Sequence, residues 1–193
     1  MKQEEKKKIL SKQNLTTIFI VIIMVTSVLA LWSSNSGDKL KYKSHTFTRM
    51  DNSWALVINK KELVFNFFPA EVDEINVSSD IISRLSSTFE IDSTSSPDNS
   101  YAQAIAFAQY NFGETLGRIS NTYVRVGMTD KNNLNLPLIG CEDATPLVPV
   151  LFFKESESTK ISLEGNCIIA EAKSETDVIR IKDRLLYGIL GVI

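Results

Sequence analysis

Histidine is almost absent from this chain: among 193 residues the only one is His45. Cysteine is scarce too, and Cys141 and Cys167 stand far apart rather than in a C-x-x-C redox pair. A closed structural zinc site needs four protein ligands, which two cysteines and one histidine do not supply. The sequence also lacks a glycine-rich phosphate loop and a G-x-S-x-G nucleophile elbow. We therefore predict no catalytic, cofactor-binding or metal-binding residue, and no cofactor.

The chain has no excess of positive charge, since 21 Lys and Arg face 23 Asp and Glu. A nucleic-acid-binding protein normally shows a clustered basic face. We therefore expect no nucleic acid among its partners. With 44% apolar residues the sequence is also too hydrophobic for a mainly disordered chain.

Charged residues are missing from residues 13–37, and residues 15–32 are almost wholly apolar or hydroxyl-bearing. A helix of this length rises about 27 Å, close to the hydrocarbon thickness of a bilayer. The run therefore predicts a transmembrane signal anchor over residues 15–32. A signal peptide cleaved near Ala30 and a buried core helix are the alternatives. The length of the apolar run favours the uncleaved anchor.

Basic residues set the expected orientation of this anchor, because they concentrate on the cytoplasmic side of a span. Those before the run are packed more closely than those after it: Lys2, Lys6, Lys7, Lys8 and Lys12 against Lys39, Lys41, Lys43 and Arg49. We therefore predict a cytoplasmic tail over 1–14, a juxtamembrane linker over 33–38 and an extracytoplasmic domain over 39–193. The protein would be a single-pass protein of the cell membrane.

The two cysteines are explained most simply by this location, because an even, small number of cysteines in an oxidising compartment predicts a disulfide. A Cys141–Cys167 bridge would contribute about 3.5 kcal/mol by restricting the unfolded chain. The rival interpretation is a nucleophilic cysteine activated by His45. A second rival is a site near Cys141, Glu142 and Asp143, whose adjacent acids are otherwise solvated loop residues.

The predicted fold class is α+β, with one mixed-sheet domain after the transmembrane helix. Alternating residues from 39 to 68 predict N-terminal antiparallel strands. A strand ending near Ile91, a helix over 101–120 and a strand over 122–128 predict a central parallel strand-helix-strand unit. Apolar strands over 148–153 and 167–172 follow, and a capping box at Ser174 and Asp177 begins a C-terminal helix.

Several smaller features have a structural and a functional interpretation. Gly113 and Gly117 favour close helix packing or a ligand on the glycine face. The segment 92–100 is expected to be a loop, whose hydroxyls would bind an anion if Asp92 and Asp98 did not oppose it. Asn76 heads a glycosylation sequon, as does Asn14 on the predicted inner side. The charge-free stretch 185–193 is expected to dock into the core, or else to form a partner patch.

The segments "GCEDATPLVPVLFF", "EGNCIIAEA" and "KDRLLYGILGVI", with the lysine-rich anchor, resemble small single-pass membrane proteins of archaea whose function is not known. The resemblance covers about the last third of the chain and implies no residue roles. We expect a non-enzymatic, membrane-anchored extracytoplasmic module that binds another envelope protein. The alternative is an envelope enzyme or accessory subunit with a site near Cys141, Glu142 and Asp143.

Overall fold

The computed structural model describes residues 12–33, 38–131 and 133–193, with the side chains of the first helix described over 16–27. The chain divides into two units, Met1–Asp38 and Lys39–Ile193. The first unit contains helix α1, Lys12–Ser33. Most of the predicted tail (1–11) and of the linker (34–37) lies outside the described residues.

The predicted transmembrane signal anchor over 15–32 is wrong on this structure, and with it the single-pass membrane assignment. Within the described parts of the chain, no helix is both long enough and apolar enough to cross a bilayer. Helix α1 does cover the predicted segment as a helix.

The second unit begins with a four-stranded antiparallel sheet in the order β1-β2-β3-β4. Its strands are β1 Lys39–Tyr42, β2 His45–Met50, β3 Ser53–Ile58 and β4 Lys61–Phe65. Two-residue turns join them, and the β3–β4 turn places Asn59 and Lys60 at φ values of 51° and 64°. Positive φ at both central residues matches the right-handed twist of a hairpin. The predicted antiparallel strands are therefore present.

A second, five-stranded sheet has the order β6-β5-β7-β9-β8. Its strands are β5 Glu90–Ser95, β6 Tyr123–Met128, β7 Val150–Glu155, β8 Lys160–Glu164 and β9 Cys167–Ala172. β5 pairs in parallel with β6 and β7, and β9 pairs in parallel with β7 and antiparallel to β8. The α+β class is right, but the prediction of one mixed sheet is wrong because the N-terminal hairpins form a sheet of their own.

Four helices complete this unit within its described residues: α2 Pro69–Val72, α3 Ser79–Ser86, α4 Ala102–Ile119 and α5 Glu175–Ile189. Helical spacing places Ile105, Ala108, Phe112, Leu116 and Ile119 on one face of α4, and the structure buries the first four and half-buries Ile119. Helix α5 packs against α4 and β9, and its Tyr187 ring stacks on Phe65 of β4. These contacts join both sheets and the helices in one hydrophobic core.

The N-terminus of α5 has the Ser174 cap of the predicted capping box, but the Asp177 carboxylate binds the serine hydroxyl and not the serine N–H. The hydroxyl of Ser174 accepts a hydrogen bond from the backbone N–H of Asp177 and donates one to its carboxylate. These bonds satisfy a donor that would otherwise lack an intrahelical partner. They fix where the helix begins, directly after β9.

A buried ion pair on α5 links this helix to the four-stranded sheet. The Lys182 ammonium lies 2.6 Å from Oδ1 of Asp183 and donates a hydrogen bond to Asn66 Oδ1 at 2.9 Å. The other oxygen of Asp183 accepts the N–H groups of Asn66 and Phe67. Both charged side chains are buried. Burial raises the pKa of Asp183, against the opposing effect of Lys182 and the two backbone donors.

Candidate functional site

Helices α4 and α5 pack on one face of the five-stranded sheet. Near β5 and β6, the opposite face is covered by the segment that joins β6 to β7. Ile139 of this segment packs with Val150 of β7 and Cys167 of β9 in a small apolar cluster. Pro137 and Ile139 also bond to Met128, which extends the sheet edge beyond β6. We call the described residues 133–149 the covering loop.

A disulfide fixes this loop to the sheet. Cys141 stands in a single 3-10 turn, Cys141–Asp143, and is bonded to Cys167, the first residue of β9. The two Cα atoms are 5.2 Å apart. This is the pairing expected from the sequence. Since both sulfurs are in the bond, neither cysteine is a thiol nucleophile in this structure.

Replacing both cysteines, as Cys141→Ser with Cys167→Ser, is expected to lower the free energy of unfolding by about 3.5 kcal/mol. For a domain of this size the melting temperature should fall by about 10 °C. Thermal unfolding with and without a reducing agent measures this. Reductant should bring the wild type down to the variant and leave the variant unchanged. A variant as stable as the oxidised wild type would contradict a stabilising role for the bond.

Gly127 allows the covering loop to approach the sheet closely. A Cβ at this position would lie 2.5 Å from Ile139 Cδ1 and 2.9 Å from the carbonyl oxygen of Pro137. On β5, which pairs with β6 here, the hydroxyl of Thr94 donates a 2.9 Å hydrogen bond to the carbonyl of Ile139. The loop is therefore held by a close backbone contact and a buried hydrogen bond as well as by the disulfide.

A pair of glycine variants tests this close approach. Gly127→Ala should destabilise the domain by about 1–3 kcal/mol, because the added methyl overlaps backbone that cannot move freely. Gly117→Ala in α4 is the matched control: its nearest new neighbour would be 4.0 Å away. That control should stabilise by up to about 1 kcal/mol, since alanine favours a helix interior. The urea concentrations at half-unfolding measure both changes in stability. Equal midpoints for the Gly127→Ala and Gly117→Ala variants would refute the close contact at Gly127.

Beside the covering loop lies a cleft of about 410 Å³. Its walls come from β5, β6 and the covering loop: Glu90, Asp92, Arg125, Pro137, Leu138, Ile139, Asp143, Thr145 and Val148. The Arg125 guanidinium binds both oxygens of Asp92, each at 2.7 Å. This hydrogen bonding raises the pKa of Arg125 above its usual value, with the charge of Asp92 acting in the same direction. Asp92 is 1% exposed, so it is a buried carboxylate neutralised by a half-exposed arginine.

The predicted acids of the loop, Glu142 and Asp143, have different surroundings. Asp143 accepts the N–H of Gly140 at 2.8 Å, which closes the 3-10 turn, and it lines the cleft. The Glu142 carboxyl group lies over Gly140. Among the described residues no group of three or more His, Cys, Asp or Glu side chains is arranged to hold a metal ion.

His45 begins β2 in the four-stranded sheet, with Ser44 Oγ 3.4 Å from its Nδ1. Both cysteines belong to the other sheet and its covering loop, so the structure shows no cysteine–histidine pair. Asn76 is exposed between α2 and α3, and the sequon's Ser78 accepts the N–H of Ile81 as a helix cap. Asn14 lies within α1.

The prediction of a loop over residues 92–100 is wrong for its first part. Its first four residues, 92–95, form the buried second part of β5, so their hydroxyls are not presented to solvent at the start of α4. Asp92 pairs with Arg125 instead, and Asn99 accepts the N–H of Tyr101 in a turn. Of the two glycines of α4, Gly113 has the expected close-packing role, because its Cβ would meet Val124 of β6 at 3.3 Å, whereas a Cβ on Gly117 would have no neighbour closer than 4.0 Å.

Sequence reasoning missed Arg125 and Gly127. Both lie in the segment "TYVRVGM", which was recognised only as a strand. The one local signal is Asp92, because a carboxylate requires a partner once its strand is buried, whereas Arg125 lies on the exposed edge strand β6. The partners themselves depend on the register of β5 and β6, which no local pattern contains.

No protein-family profile, no curated protein and no solved structure matches this chain. The resemblance to small archaeal membrane proteins therefore stays a prediction.

Proposed function

We propose that this protein is a non-enzymatic binding module that acts outside the cytoplasm, in an oxidising compartment, and that its partner is another protein of the cell envelope. The observation that carries the proposal is the disulfide between the covering loop and β9. Structural disulfides persist in oxidising compartments and are rare in the cytosol of mesophiles. The bond also holds the loop that forms one wall of the cleft.

The chemistry of the cleft supports binding rather than catalysis. A catalytic site needs a nucleophile or a general base with a partner that activates it. The buried carboxylate here is neutralised by Arg125, and the cysteines are bonded to each other. The half-exposed Arg125 and the exposed loop residues present a rigid surface of mixed polarity, as protein interfaces do.

Site-specific photo-cross-linking in the producing cells tests this function. A cross-linking residue in place of Leu147, on the covering loop, should give a discrete covalent adduct with an envelope protein. The same residue in place of Tyr110 is the control, because Tyr110 is also exposed but lies on α4, across the sheet. Equal adducts at both positions, or turnover of a small substrate by the purified chain without any adduct, would overturn the proposal.

A further inference from the structure

The cleft next to the covering loop has a net negative charge. Three carboxylates, Glu90, Asp92 and Asp143, face one guanidinium, Arg125, so three negative charges and one positive charge leave a net charge of −2. Asp92 is fully engaged by Arg125, whereas Glu90 approaches Arg125 only to 3.5 Å. Asp143 uses one oxygen for the Gly140 N–H. Among the described residues, Glu90 has no cationic partner besides Arg125 and Asp143 forms no ion pair, so both can bind a cation from outside.

Large apolar side chains border this acidic cleft. Leu138 lines it and is 58% exposed, and Leu147, next to the lining residue Val148, is 81% exposed. Tyr123 is 63% exposed on β6, two residues before Arg125 and therefore on the same face of the strand. We call these three residues the apolar rim. Aromatic and large aliphatic side chains that stay exposed beside a cleft are typical of a protein-binding surface.

The exposure of Leu147 is fixed by its backbone. It lies in a turn closed by a hydrogen bond from the Thr145 N–H to the Val148 carbonyl at 2.9 Å, and one from the Val148 N–H to Thr145 Oγ1 at 3.0 Å. The hydroxyl of Thr88 donates to the carbonyl of Leu147 itself. The neighbouring Pro146 and Pro149 further restrict the chain. A side chain presented on such a rigid turn loses little entropy when a partner covers it.

We infer that the cleft and the apolar rim bind a protein segment that carries a lysine or arginine side chain flanked by apolar residues. This inference rests on the proposed function and names the chemistry of the partner. The basic side chain enters between Glu90 and Asp143, where the net negative charge attracts it, and its apolar neighbours cover Leu138 and Leu147. The cleft volume lies at the lower end of the roughly 300–1,000 Å³ found for ligand pockets, which suits one long side chain rather than a folded element.

Panning a phage-displayed library of random peptides on the full chain tests the inference. Enriched peptides should contain Lys or Arg next to apolar residues. Their affinity for Glu90→Gln with Asp143→Asn should be about tenfold weaker, because two attractive charges are removed while the shape is kept. The Asn side chain can still accept the Gly140 N–H. Glu157→Gln with Glu164→Gln removes the same charge from exposed positions outside the cleft and should leave the affinity unchanged.

A second pair of variants tests the apolar contact. Leu147→Ser should weaken the same peptides at least about fivefold, since a buried leucine anchor is lost, and Tyr110→Ser on α4 should not. Enriched peptides without a basic residue, or with affinities indifferent to Glu90 and Asp143, would overturn the inference while leaving a binding function in place. No enrichment would also overturn it. If Leu147 then cross-links no better than Tyr110 in cells, the proposed function fails as well.

Discussion

Lys182→Met is expected to lower the free energy of unfolding by about 3–5 kcal/mol, because it leaves the buried carboxylate of Asp183 without its cation. Asp183 is 0% exposed, and its remaining partners are the N–H groups of Asn66 and Phe67. Lys160→Met is the matched control. It removes an exposed lysine 3.0 Å from Glu171 and should cost at most about 1 kcal/mol. Chemical denaturation at neutral pH measures both.

The double variant Lys182→Met with Asp183→Asn separates charge from packing. Both backbone donors bind the same oxygen of Asp183, so the amide oxygen of an asparagine can accept them while the uncompensated charge disappears. The double variant should therefore be more stable than Lys182→Met alone. If it is less stable, the loss in the single variant comes from the lysine's packing and not from a stranded charge.

The Lys182→Met deficit should also depend on pH. Burial raises the pKa of Asp183 even with the lysine present, and removing the lysine raises the pKa further. In the pH range between the unfolded and folded pKa values the native state then holds a proton that the unfolded state releases, so stability falls as pH rises. The deficit relative to the wild type should be largest at neutral pH and shrink on acidification towards the usual carboxyl pKa. A deficit that grows with acid would have the wrong sign.

Deleting residues 188–193 is expected to unfold the domain or destabilise it by more than about 5 kcal/mol. Val192 is fully buried, and the adjoining Ile189, Leu190 and Ile193 pack against the core. Each large apolar side chain contributes roughly 1.5–3 kcal/mol when fully buried, and a domain's total stability is only about 5–15 kcal/mol. The Val192 N–H also donates to the Tyr187 carbonyl across Gly191, at φ 68°, in the hydrogen bond of a Schellman cap.

Circular dichroism during urea unfolding measures the effect of the truncation. Val192→Ala should give an intermediate loss of about 1–3 kcal/mol. Leu147→Ala removes an exposed apolar side chain and should change stability by less than about 0.5 kcal/mol. If the truncated chain kept the wild-type midpoint and lost only association, residues 188–193 would be a partner patch rather than part of the core.

The elements that could be predicted from the sequence are those with a local pattern. The buried stripe of α4 follows from helical spacing, and the serine and aspartate at the start of α5 form a cap within one turn. The antiparallel hairpins follow from alternating residues and short turns. Each pattern is local, because the helix and strand periods fix which face a side chain takes from its neighbours in sequence.

The features that escaped prediction depend on partners distant in sequence. The polar residues 92–95 were expected to be a loop but form the buried end of β5, because Arg125 neutralises Asp92 and Ile139 accepts from Thr94. Lys182 and Asn66, 116 positions apart, illustrate the same limit. A lysine followed by an aspartate on a helix is typical of a solvated face, and only the packing of α5 against the first sheet buries it.

The most direct test of the account is the oxidation state of Cys141 and Cys167 in intact cells. An alkylating reagent that enters every compartment is applied before lysis, and the full chain is then weighed by mass spectrometry before and after reduction. If the disulfide is present, no label is expected before reduction, and two labels are expected when the reagent is added after reduction. Two labels before reduction would show free thiols, contradict the disulfide-held binding surface, and favour the alternative of a site that uses Cys141, Glu142 and Asp143.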